Sequence, residues 1–140
     1  VVESERARWP DVSFELAVPA GAPTVVADAL YVEQTVRNLL SNAAKYGGPA
    51  SHVRVLVEPT DDEVQVRIQD DGPGIDPAEA ERLFDLFYRS PAPSRATTGA
   101  GIGLFVCARL VRAMGGRIWG QPRSPGGAEF GFALRIMAEE

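Results

Sequence analysis

Along the chain the hydrophobic positions change period from two to nearly four and back, and each change marks an element. Phe14, Leu16 and Val18 alternate with Ser13, Glu15 and Ala17 ahead of a turn at Pro19 to Gly21, the period of a half-buried strand. From Asp28 the spacing becomes helical, with Val32, Val36, Leu39, Leu40 and Ala43 on one stripe, Asp28 as N-cap and Gly47-Gly48 as stop. Val53, Val55 and Val57, then Val64, Val66 and Ile68, return to period two, joined by the turn residues Pro59 to Asp62 in a hairpin. Asp76, Pro77 and Glu79 carry a cap, a proline at the first helical position and an acidic residue three past the cap. They predict a short helix running through Leu83 and Phe87. Leu104, Cys107, Ala108, Leu110, Val111 and Met114 form a further amphipathic helix ended by Gly115-Gly116. Arg117 to Trp119 is a short strand, and Phe130, Phe132, Leu134 and Ile136 alternate as the last one, after a turn over Pro122 to Gly127.

Hairpin strands with about three separated helices define an α+β fold, an α/β two-layer sandwich whose mixed, mainly antiparallel sheet carries helices on one face. Residues 1–10 are charged and without clear period, and Trp9-Pro10 reads as extended, so 1–10 is expected to be the remnant of a linker and 11–140 the domain proper. Between Ser90 and Gly99, two prolines and small polar residues show no period, the pattern of a mobile loop.

Composition narrows the function classes. A chain of 140 residues with 45% apolar content holds one core. No apolar run reaches the roughly 18 residues needed to span a bilayer, so a soluble domain without direct membrane contact is expected. The single cysteine, Cys107, excludes an internal disulfide or a cysteine-built zinc site, fits a reducing, cytoplasmic compartment, and reads as core. A formal charge of −5 argues against nucleic acid as partner. An acidic chain can still hold a small polyanion through local donors, glycine-exposed amides and a divalent cation.

Four motifs offer such a set. On the long helix Asn38, Asn42, Lys45 and Tyr46 fall at i, i+4, i+7 and i+8, a polar stripe beside the apolar one. An asparagine oxygen suits magnesium, which takes its other oxygens from water and phosphates, and Lys45 adds a point charge. The plainer reading is a solvated face. Asp70 ends a strand, and Gly72 and Gly74 let a ligand approach the backbone, so the carboxylate can accept from an exocyclic amine. An ordinary Asp-Gly turn is the alternative. Asp71 reads as a solvent-facing turn residue and Asp76 as a cap. Phe84 and Phe87 read as core, whereas Arg89, next to the mobile loop, can bring its forked donors to a phosphate. Gly99, Gly101 and Gly103 precede a helix N-terminus, where free amides favour phosphate. Spacing excludes a dinucleotide fingerprint, since Leu104 stands where its third glycine belongs, and a P-loop, since no Gly-Lys-Ser/Thr occurs.

In order and spacing these motifs resemble the N box, first glycine box, F box and second glycine box of the catalytic ATP-binding domain of bacterial sensor histidine kinases, a fold shared with gyrase and MutL-type ATPases. The resemblance spans nearly all of residues 11–140. It implies the Bergerat ATP-binding fold with an ATP lid at about residues 90–100. It implies ATP and magnesium as cofactors, Asn42 as metal ligand, Lys45 and Arg89 at the phosphates as catalytic residues beside Asn42, Tyr46 near the base and Asp70 on the adenine amine. Asn38, Gly72, Gly74, Ile75 and Phe87 would also border the nucleotide, as would Thr98, Gly99, Gly101, Ile102, Gly103 and Leu104. The implied activity is a protein histidine kinase: transfer of the γ-phosphate to a histidine on a separate dimerisation domain, for relay to an aspartate of a cognate response regulator. A parent protein anchored as an inner-membrane sensor is compatible with it.

ATPases of this fold carry a water-activating glutamate one turn before the metal asparagine. Here that position is Asn38, an amide that cannot act as a base, which favours transfer over hydrolysis. The one histidine, His52, sits beside a strand without the acidic neighbour of an acceptor and reads as a surface residue. Two other readings share the fold: a serine kinase of the anti-sigma-factor type, against which the Phe84, Phe87 and Arg89 box argues, and a non-catalytic remnant that binds a protein partner.

Overall fold

The computed structural model describes residues 2–8, 13–17, 27–46, 52–72, 74–85, 103–123 and 126–136. Five strands form one mixed sheet in the order β1-β2-β3-β5-β4, with β1 (Ser13–Ala17), β2 (His52–Pro59), β3 (Glu63–Asp70), β4 (Arg117–Pro122) and β5 (Ala128–Arg135). Only β1 and β2 run parallel; the other neighbours are antiparallel. Parallel neighbours need a long crossover, and α2 (Ala29–Tyr46) lies between them in the chain. With α3 (Gly103–Ala113), α2 covers one face of the sheet, as the α+β reading requires.

The Asp28 cap acts as read, while the Gly47-Gly48 stop lies outside the described residues. Asp28 Oδ1 accepts from the amides of Leu30 and Tyr31 at 2.9 and 3.3 Å, closing the first turn of α2. Leu39, Leu40 and Ala43 of α2 and Cys107 and Val111 of α3 meet Val53, Val55, Ile68, Phe130, Phe132 and Leu134 of the sheet in one core. The registers line these up: Val55 opposes Ile68, Ile68 opposes Phe130, and Phe132 opposes Ile118.

Three expectations change. The charged opening contains a helix, α1 (Val2–Arg8), tied to α2 by Arg8 Nη1 donating to Ser41 Oγ at 3.3 Å and Arg37 Nη1 to Ser4 Oγ at 3.1 Å. Polar cross-links, which leave no apolar period, attach it. The helix expected after Asp76 is instead two separate 3₁₀ turns, Pro77–Glu79 and Arg82–Phe84. The cap is real, with Asp76 Oδ1 accepting from Ala78 N–H at 3.0 Å, but the chain leaves helical geometry at Asp85, whose backbone is extended. Leu16 remains 48% exposed although Phe14 is buried, because β1 is an edge strand with a neighbour on one side only. The proposed lid, about 90–100, lies outside the described residues.

The other face of the sheet holds a polar layer that the alternation alone does not announce. Glu129 of β5 is 2% exposed. Its Oε1 accepts from Arg67 Nε at 2.9 Å and Gln69 Nε2 at 2.8 Å, and its Oε2 from Trp119 Nε1 at 3.0 Å and Gln121 Nε2 at 2.7 Å. Burial alone would raise this carboxyl's pKa, but the hydrogen bonds from Gln69 and Trp119 and the Arg67 guanidinium outweigh it and hold it below the ordinary carboxylate range. Trp119 also lies over Gly131, where a Cβ would come 2.5 Å from the indole, and Arg117 stacks on the indole at 5.0 Å while pairing with Glu63.

Candidate functional site

Asp70 is the last residue of β3, in the row of Val64, Val66 and Ile68 that faces the helices, and is 1% exposed. A carboxylate so buried needs donors. Oδ1 accepts from Gly72 N–H at 3.0 Å and Ala128 N–H at 3.3 Å, so one oxygen takes both amides. The glycines around it are required by contact. Gly74 has φ +89°, and a Cβ there would stand 2.9 Å from the Gly127 carbonyl oxygen. Ile75 follows, buried, and Asp76 caps the next turn.

Across the helix layer, Asn38 and Asn42 are half-buried on α2. Asn38 hydrogen-bonds the Cys107 thiol of α3, a bond that lowers the thiol's pKa less than burial raises it, leaving it pushed up to about 12. Cys107 Sγ also donates to the Thr35 carbonyl at 3.8 Å, so the cysteine is core that pins α3 to α2, as read. Asn42 Nδ2 is a buried donor with no hydrogen-bond partner among the described residues. An orphaned buried amide is rare in a folded protein and calls for an explanation such as an ordered water, an ion or a ligand.

Lys45 and Tyr46 close α2. Gly103 opens α3 with open space where a Cβ would be, and Leu104 packs against the core. Phe84 meets Phe130 edge to face, centroids 6.2 Å apart, which is the core role read for it. Phe87, Arg89, Thr98, Gly99, Gly101 and Ile102 lie outside the described residues. Asp71 is exposed, as read, and its Oδ1 accepts from His52 N–H at 3.0 Å. His52 is exposed, as read, with its ring nitrogens 3.2 Å from Ser13 Oγ and 3.1 Å from Glu15 Oε2.

The turn over Pro122 to Gly127 is marked in the sequence, but its role beside Asp70 is not. Ala128 supplies an amide to Asp70, and Arg123 donates to the Asp70 carbonyl from Nη1 at 2.8 Å. The one available signal was the pair Gly126-Gly127 at a strand start, which marks close backbone approach.

No cluster of three or more histidine, cysteine, aspartate or glutamate residues able to cage a metal occurs among the described residues. A cation here would draw most of its ligands from a substrate and water, as magnesium does with nucleotides. The orphaned amide of Asn42 fits that demand, since turning the amide over presents its oxygen in place of its nitrogen.

A mixed sheet under two helices carries a buried aspartate at the end of its central strand and, on the long helix, an asparagine amide without a partner among the described residues. Residues 27–138 match the family described as histidine kinase-, DNA gyrase B-, and HSP90-like ATPase, and the chain belongs to that family. It is 39% identical over 127 residues to the adaptive-response sensory kinase SasA of Parasynechococcus marenigrum, a match covering 90% of this chain and 33% of that protein. The chain therefore spans about a third of the length of the sensory kinases it matches. Among solved structures it superposes on a mycobacterial sensor histidine kinase, MprB, with TM-score 0.87 and 31% identity, covering 99% of this chain and 92% of that one. It also resembles full-length ShkA in complex with AMPPNP, with TM-score 0.78 and 31% identity over 99% of this chain and 29% of ShkA. No described helix is long and apolar enough to cross a membrane.

Proposed function

We propose that this chain is the ATP-binding catalytic domain of a sensor histidine kinase. It holds Mg-ATP and donates the γ-phosphate to a histidine on a separate dimerisation domain of the same protein, from which a response regulator aspartate receives it. The observation that carries this reading is Asp70, a buried strand-end carboxylate with Oδ1 committed to two backbone amides. On this reading the Asp70 carboxylate accepts from the exocyclic amine of adenine, a donor that guanine presents elsewhere. Its likeness to sensory kinases over most of its length, and to a kinase solved with an ATP analogue, supports the same assignment.

On this reading Asn42 turns its amide oxygen to the cation, Lys45 and Arg89 face the phosphates, and Tyr46 packs near the base. Bound magnesium offsets the charge on the phosphate oxygens. Amides of the Gly99 to Gly103 segment, at the positive end of α3, hold the phosphate chain. Asn38 offers no base to deprotonate water, so the γ-phosphate waits for a nucleophile from outside the pocket. In the transfer, a neutral histidine nitrogen forms the new N–P bond as the bond to the ADP oxygen breaks. His52, engaged with Ser13 and Glu15 at the β1–β2 edge, is not that acceptor.

Incubating the chain with magnesium and ATP labelled on the γ-phosphate, with and without the helical histidine domain of its parent protein, tests the proposal. Label on the added domain in an acid-labile, base-stable linkage is expected. Label on the chain itself, or release of free phosphate as the main product, contradicts it.

A further inference from the structure

The aspartate of the pocket is held from a second side by a turn that the nucleotide reading leaves unused. Between β4 and β5, Arg123 N–H donates to the Gly127 carbonyl at 3.0 Å while Arg123 Nη1 donates to the Asp70 main-chain carbonyl at 2.8 Å. Gly127 has φ +98°, and a Cβ there would fall 1.9 Å from that same carbonyl oxygen. The turn and the strand end are thus in backbone contact, and the guanidinium of Arg123, half-buried, bridges them. Register pairing on either side of β3 extends no further than Asp70. A charge-assisted bond from the planar guanidinium of Arg123 braces its carbonyl at that end.

We propose that Arg123 is a positioning residue for adenine recognition: by holding the Asp70 carbonyl against the β4–β5 turn, it sets the direction of the carboxylate that reads the exocyclic amine. The inference rests on the adenine role given to Asp70 above. Arg123 touches the aspartate's backbone and acts through it, so its loss costs selectivity for the amine and spares binding of the phosphates.

The test titrates ADP and purine riboside 5′-diphosphate, which lacks the exocyclic amine, into the 140-residue chain. The variants are Arg123→Ala, Arg123→Lys, Asp70→Asn and the Arg123→Ala/Asp70→Asn pair, each checked for folding by thermal melting. Arg123→Ala is expected to weaken ADP about tenfold, the scale of one charged hydrogen bond, and to leave the amine-free analogue within about twofold. Arg123→Lys, which keeps the charge and loses the fork, restores part of the preference. On the Asp70→Asn background Arg123→Ala changes ADP affinity by less than about twofold, because residues acting through one contact are not additive. Equal weakening of both nucleotides, or a full tenfold loss on the Asp70→Asn background, overturns the proposal. If Arg123→Ala does not fold, Arg123→Lys carries the test: selective loss of ADP binding supports the proposal and equal loss overturns it. An Asp70→Asn variant that still prefers ADP removes the adenine assignment and this inference together. One that loses the preference while Arg123→Ala keeps it removes only this inference.

Discussion

Single side chains carry most of what is particular to this chain. Glu129, which the alternation does not single out, is a buried anion with donors on both oxygens. Removing it strands Arg67, which keeps Glu58, together with three neutral donors. Glu129→Ala is expected to lower unfolding free energy in urea by about 3 kcal/mol. Its folded pKa lies below the unfolded value of about 4.3, so its contribution is complete above that pH and is lost as pH falls through the folded value. Stability of the parent chain should therefore fall more steeply than that of Glu129→Gln between about pH 5 and pH 3. A parallel pair of curves contradicts the assignment. Cys107, with its thiol near 12, should resist a thiol reagent at about pH 8 until the chain unfolds, since on the order of one molecule in ten thousand carries a thiolate. Asn38→Glu places a carboxylate where ATPases of this fold keep their base, and slow ATP hydrolysis should rise with affinity retained. No rise would mean that more than this amide withholds water.

At the level of elements, legibility followed the source of each element's stability. α2 was readable because its apolar stripe and its Asp28 cap are local signals, and Asp28→Ala should cost about 1 kcal/mol in chemical denaturation. The β2–β3 hairpin was readable for the same reason. α1 was not, because polar links between Arg8 and Ser41 and between Arg37 and Ser4 bind residues 33 positions apart, and no period records them. The segment after Asp76 carried every start signal of a helix and still closed as two 3₁₀ turns, because Leu83 and Phe84 are pulled into the core beside Phe130. Tertiary packing there overrode local propensity. β4 runs to Pro122 where the pattern marked only Arg117 to Trp119, since its added length comes from pairing with β5 across Gln121 and Glu129.

Across the whole molecule, the candidate site was legible where it rests on residue chemistry and hidden where it rests on backbone contact. Asp70, Asn42 and the glycines announced themselves by type and order. The roles of the Ala128 amide and of the Arg123 to Gly127 turn did not, because an amide has no residue code and Arg123 lies 53 positions from the aspartate it braces. On the proposed reading the chain is the ATP-binding half of a phosphotransfer reaction. The most direct measurement is a calorimetric titration of the chain and of Asp70→Asn with a non-hydrolysable ATP analogue and magnesium. One site per chain is expected, favouring adenine over guanine nucleotide, with affinity falling about tenfold or more in the variant, the scale of a lost bond to a charged group. Equal binding by both proteins, or a folded chain that takes no nucleotide, would contradict the central claim.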